Sequence, residues 1–79
     1  MIDKVCDIRR AGINANGRVQ LDLQARDGSF TWNWFLGTPT LTREMLAVAL
    51  AAITAEKPVE CTIDGPTAWA EIHAIFYVK

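Results

Sequence analysis

Little in this chain of 79 residues is equipped for covalent chemistry: it holds one histidine (His73), one serine (Ser29) and two cysteines (Cys6 and Cys61). A catalytic base needs a nucleophile and an orienting group within reach. Glu71 and His73 are same-face neighbours on a strand, but no nucleophile accompanies them and Ser29 falls in a turn, so His73 reads as an ordinary surface or interface histidine. A structural zinc site needs clustered cysteine and histidine at short spacing, whereas Cys6 and Cys61 lie 55 positions apart with no C-x-x-C motif. The nine carboxylates are scattered singly, as on solvated faces, and no pair has a spacing that demands acid–base work or metal binding. These absences argue against an enzyme and imply neither cofactor nor metal.

Neither sign of charge dominates. Eight basic and nine acidic residues leave a net charge of −1, with a pI near 5.7. Residues 1–26 carry five bases and three acids, and residues 27–79 three bases and six acids. Nonspecific nucleic-acid binding depends on many phosphate contacts and so on a basic excess, which disfavours that function. The longest apolar run, residues 45–53, has nine residues, about half of what a membrane span requires. The start of the chain, with Asp3, Lys4 and Asp7, lacks the apolar stretch of an export signal. As written, the chain reads as cytoplasmic, with no membrane partner.

What is present is a folded domain's composition, 51% hydrophobic and long enough for one core. A domain of this size buries only about 60% of its unfolded surface or a little more, so a disulfide or self-association would add needed stability. Residues 45–53 contain good helix formers and neither glycine nor proline, and the spacing predicts a helix over 41–56. Thr38 or Thr40 is the expected cap, with Pro39 in the first turn and Glu44 near the positive end of the dipole. Lys57 and Pro58 mark its end. Leu46, Ala49, Leu50 and Ile53 form one core-facing stripe, and Met45, Val48 and Ala52 form a second beside it.

The remaining segments alternate with period two. Strands are expected at 2–10, 19–26, 30–36, 59–64 and 68–78. Turn chemistry separates them at Asn16-Gly17, Asp27-Gly28 and Asp64-Gly65-Pro66. In the second strand Val19, Leu21, Leu23 and Ala25 face inward. In the third, the alternation places Phe30, Trp32, Trp34 and Leu36 inside and Thr31, Asn33 and Phe35 outside; Trp32 and Trp34 are candidate stacking platforms for bases or sugars, but their phase with Phe30 and Leu36 argues for core. The last strand has Ala70, Ile72, Ala74, Phe76 and Val78 on one face, with Trp69, Ile75 and Tyr77 on the other.

Five strands with one helix between the third and fourth form the element order of a mainly β, α+β fold, an OB-like five-stranded Greek-key barrel, spanning residues 1–79 as a single domain. Strands one and four are neighbours in such a barrel. A Cys6–Cys61 disulfide is therefore geometrically open, while two reduced core thiols suit a cytoplasmic chain. The run Met45-Leu-Ala-Val-Ala-Leu-Ala-Ala-Ile, then Lys57-Pro-Val59 and Ile72-His-Ala-Ile75, resembles the small barrel subunits that form the receptor-binding pentamers of bacterial AB toxins of the pertussis and subtilase type. That resemblance implies a non-catalytic binding subunit that assembles into a ring.

Barrels of this fold bind along the second and third strands. The ligand candidates are therefore Arg18, Gln20, Asn33, Phe35 and Trp69, for a glycan or a protein partner. The candidates for a homo-oligomer interface, in a dimer or a ring, are Met45, Val48, Ala52, Ile75 and Tyr77. The alternative is a single-stranded nucleic-acid binder of the same fold. It would need a basic, aromatic outer face on strands two and three, where Arg18, Arg26 and Phe35 are the residues expected.

Overall fold

The first strand is the longest because it serves two neighbours. In the computed structural model, which describes residues 1–78, β1 (Ile2–Ile13) pairs over Ile2–Cys6 with the fourth strand and over Cys6–Ile13 with the second. It outruns the expected end near residue 10 because Ala11, Gly12 and Ile13 pair with Leu21, Gln20 and Val19. A bulge between Ile8 and Arg10 bends the strand between its two partners. The connection to β2 (Val19–Ala25) is a turn closed by Gly17 N–H donating to Asn14 O (2.9 Å) and Asn14 N–H to Arg18 O (2.9 Å). Gly17 there takes φ 79°, the left-handed residue of a bulged hairpin.

In β2, Val19, Leu21, Leu23 and Ala25 are buried as the alternation requires. The third strand departs from it. β3 covers only Asn33–Gly37, and Phe35 lies opposite Leu21 while Trp34 lies opposite Asp22. Phe35 is therefore fully buried, and Trp32 and Trp34 are on the outer side, half-buried. The expected phase counted from Phe30, but residues 26–32 form no strand, so the two-residue repeat does not carry across them. Phe30 still reaches the core, its ring centroid 5.0 Å from that of Phe35.

A short 3₁₀ turn, Pro39–Leu41, leads into α1 (Thr42–Ala55). Neither Thr38 nor Thr40 caps it with a side chain; Leu41 holds the cap position. The buried helix face is Met45, Ala49 and Ala52, with Leu46 and Val48 partly buried beside it, while Leu50 is 47% exposed. The two expected stripes are thus largely exchanged. The small Ala49 and Ala52 let the helix axis approach the barrel end, and Gly37 allows the same at β3. A Cβ on Gly37 would stand 3.0 Å from Met45 Sδ and 3.1 Å from Val19 Cβ. The helix ends at Glu56 in the left-handed region, φ 56°, with Lys57 N–H donating to Ala52 O at 2.9 Å.

β4 (Val59–Ile63) buries Val59, Cys61 and Ile63. β5 (Glu71–Tyr77) is shorter than expected, and the register slips so that Ile63 faces Ile72 but Thr62 faces Ala74. The extra residue, His73, shifts the phase. Ile75 then lies opposite buried Cys61 and packs against the core, and Phe76 turns outward at 58% exposure. The strands close in the order β1-β2-β3-β5-β4, with β3 and β5 parallel through Leu36–Glu71 and Gly37–Ile72. The result is a closed five-stranded, OB-like barrel whose end is capped by the helix between β3 and β4.

Candidate functional site

The β1 bulge projects two consecutive side chains, Arg9 and Arg10, to the outer side of the barrel. Their Nε atoms donate to the same oxygen, Asp22 Oδ2, at 2.6 and 2.9 Å. Asp22 is the one buried charged residue among those described, 1% exposed, whereas the arginine side chains are half exposed. Each guanidinium then lies over an indole. Arg9 is 4.5 Å from the Trp32 ring centroid and Arg10 4.5 Å from that of Trp34. Such stacks contribute about 0.5–1 kcal/mol each where solvent reaches them, and the shared carboxylate sets their orientation. Two cations on one anion leave this platform with a charge of +1.

Beside it runs an open groove of about 560 Å³, lined by Arg10, Ile13, Gln20, Trp34, Leu50 and Ile53 among others. It has the size of a small-ligand site. A smaller groove of about 200 Å³ lies between α1 and β5 at Leu41, Val48, His73, Ile75 and Phe76. His73 there contacts Asp64 through Nε2 at 2.6 Å and Glu71 through Nδ1 at 3.4 Å. Among the described residues no three metal-ligating side chains are grouped so as to hold an ion.

The residues expected to bind a ligand are not brought together. Gln20 lines the larger groove. Arg18 is engaged with Gly37 O (2.7 Å) and Glu71 (3.2 Å), where it braces the β3–β5 junction. Asn33 begins β3 opposite buried Leu23, on the inner phase. Phe35 is core and leaves the candidate set. Trp69 is 55% exposed in the left-handed region (φ 69°), and its N–H donates to Trp34 O at 2.7 Å. Arg26 pairs with Asp7 at 2.9 Å.

Of the expected interface residues, Met45 and Ala52 are buried within the subunit, because the helix presents that face to the barrel end, and they cannot meet a second chain. Val48 and Ile75 are half-buried against the core, and Tyr77 is 43% exposed. Of the platform residues, Arg9, Arg10 and Asp22 lie outside the expected set, and Trp32 and Trp34, candidate stacking rings by residue type, are turned outward by a register that reverses the expected phase. The signals for the first three are the Arg9-Arg10 doublet and the acid at the centre of the otherwise regular second strand.

Fold and site together define an OB-like barrel with an aromatic, guanidinium-covered platform on the outer side of β1–β2–β3, the face on which such barrels take ligands. No protein-family model, curated protein or solved structure matches the chain. Among the described residues no helix is long and apolar enough to cross a membrane.

Proposed function

We propose that the chain is a non-catalytic binding module that takes its ligand on the platform of Trp32 and Trp34. The observation that carries this reading is the pair of arginines, each 4.5 Å over a tryptophan and both anchored on Asp22. Flat, hydrogen-bonding surfaces of this kind fit a carbohydrate, or a planar group on a protein, with one anionic substituent to match the charge of +1. A single-stranded nucleic acid is the second reading, favoured by the two indoles on the outer side of the second and third strands, since bases stack on such rings. The platform's single excess charge places it second, because a phosphate chain draws on several cations.

The deciding experiment follows tryptophan fluorescence while a glycan panel and short oligonucleotides of mixed sequence are titrated. Trp34→Ala is expected to weaken the ligand that binds by about tenfold or more, as loss of one stacked ring does. Binding unaffected by Trp32→Ala and Trp34→Ala would remove the platform from consideration.

The same reading has the module act as a homo-oligomer, a two-fold dimer or a ring. Its supporting feature is the groove between α1 and β5, where exposed Leu41 and Phe76 stand beside half-buried Val48 and Ile75. Covering apolar area is worth about 25 cal/mol per Å², so a contiguous patch of this kind favours association. Sedimentation should show a species larger than 8.8 kDa, and Phe76→Glu should return it to monomer.

A further inference from the structure

We infer that the open edge of β1 at Ala11–Ile13 is a strand-addition site for an extended peptide that carries carboxylates at alternate positions. β4 pairs with β1 only as far as Cys6, so beyond that point the edge away from β2 has no strand partner among the described residues. Asn14 N–H donates across to Arg18 O. By the alternation of an antiparallel ladder, Arg10 and Gly12 therefore turn their N–H and C=O toward β2, while Ala11 and Ile13 turn theirs to the open side. Buried backbone groups find partners, and an exposed row of them is a template for another strand.

The groove of about 560 Å³ runs along this edge, and its two walls differ. Ala11 and Ile13 lie opposite the inward-facing Leu21 and Val19, and on that side Leu50 and Ile53 of α1 form an apolar wall. On the other side stand Arg9 and Arg10 with Gln20. Gly12 lies on the same face as Arg10 and Gln20, where a Cβ would meet nothing within 4 Å, so no side chain of β1 fills that side beside the edge. An added strand sends successive side chains to opposite sides. The occupant that suits both walls alternates apolar residues, toward Leu50 and Ile53, with acidic residues, toward the guanidiniums. One carboxylate, Asp22, serves two arginines through their Nε atoms, and the charge left over sets the sign of the partner. A second copy of the chain, paired through this same edge, would instead bring two platforms of charge +1 together. This inference takes its hydrogen bonds from the backbone edge and shares Arg9, Arg10 and the Trp34 side of the groove with the proposed outer-face site, so the amide shifts at Ala11 and Ile13 separate it from ligand binding on the indoles.

The test uses wild-type protein and an end-capped synthetic octapeptide alternating glutamate and valine, observed by amide NMR. Ala11 and Ile13 should shift, and their amide exchange should slow by about tenfold or more, as closure of an open edge requires. N-methylation of one alternating set of peptide amides should abolish binding while methylation of the other set leaves it, and lysine in place of glutamate should abolish it. The charge is varied on the peptide because removal of the arginines would leave Asp22 buried and unpaired. Absence of shifts at Ala11 and Ile13 at millimolar peptide would overturn the inference, as would equal binding of both methylated forms. Protection of the same amides by raising the protein concentration alone would assign the edge to a second copy and overturn it too.

Discussion

Arg10 stands directly opposite Asp22 in the β1–β2 ladder and donates Nε to its carboxylate at 2.9 Å. One partner is buried and the other half exposed, and that inequality determines what each deletion costs.

Replacing Asp22 by Asn removes the buried charge and frees two arginines that water can solvate, at an expected cost of about 1–2 kcal/mol. Replacing Arg9 and Arg10 together by Met strands a buried carboxylate, at about 3 kcal/mol or more. Urea denaturation at neutral pH should rank the two in that order. The reverse order would mean that the arginines, and not Asp22, are the groups that require a partner.

Glu56 holds a left-handed conformation (φ 56°) at the end of α1, which a side chain disfavours and glycine does not. Glu56→Gly is expected to stabilise the fold by about 0.5–1 kcal/mol. A thermal midpoint unchanged or lowered in this variant would contradict the assignment.

Lys4 Nζ, 2.6 Å from Asp27, and the Ser29 hydroxyl and N–H hold the Asp27 carboxyl well below the usual carboxylate range. A lowered folded value contributes stability that is fully present above the unfolded pKa, about 3.9, and is lost as the pH falls through the folded value. The stability difference between wild type and Asp27→Asn, measured by denaturant titration, should therefore be constant from neutral pH to about pH 5 and shrink at more acid pH. A difference that grows on acidification would reverse the sign and refute it.

Cys6 and Cys61 are free and fully buried, diagonal to one another across the β1–β4 pair. Contact with Cys6, then burial, pushes the Cys61 thiol far up from its ordinary value. Because the thiolate is the reactive form, Cys61 should resist a thiol reagent at pH 8 until denaturant is added. Reaction at the rate of an unfolded control would show that the core opens there.

Much of the architecture was legible because it follows from local composition and period. The apolar run at 45–53, ended by Lys57-Pro58, names one helix, and Val19, Leu21, Leu23 and Ala25 name a half-buried strand wherever that strand is placed. The binding residues were not legible in the same way. The face a strand residue takes depends on where the register begins. Asn33, and not Phe30, begins β3, so both tryptophans turned outward and Phe35 inward. At His73 the register with β4 slipped by one residue and turned Phe76 out. Arg9 and Arg10 share a side only because of a bulge, which no period-two count contains.

The number, kind and order of elements follow from the order of residues alone, since propensity, turn chemistry and hydrophobic period are properties of consecutive residues. Which faces are inside depends on pairing between distant segments, because a slip of one residue in register exchanges the two sides of a strand. The helix shows the same division. Its apolar residues were evident, but Met45, Ala49 and Ala52 face the barrel because the small side chains allow the closest approach, a fit that exists only once five strands have closed beneath it.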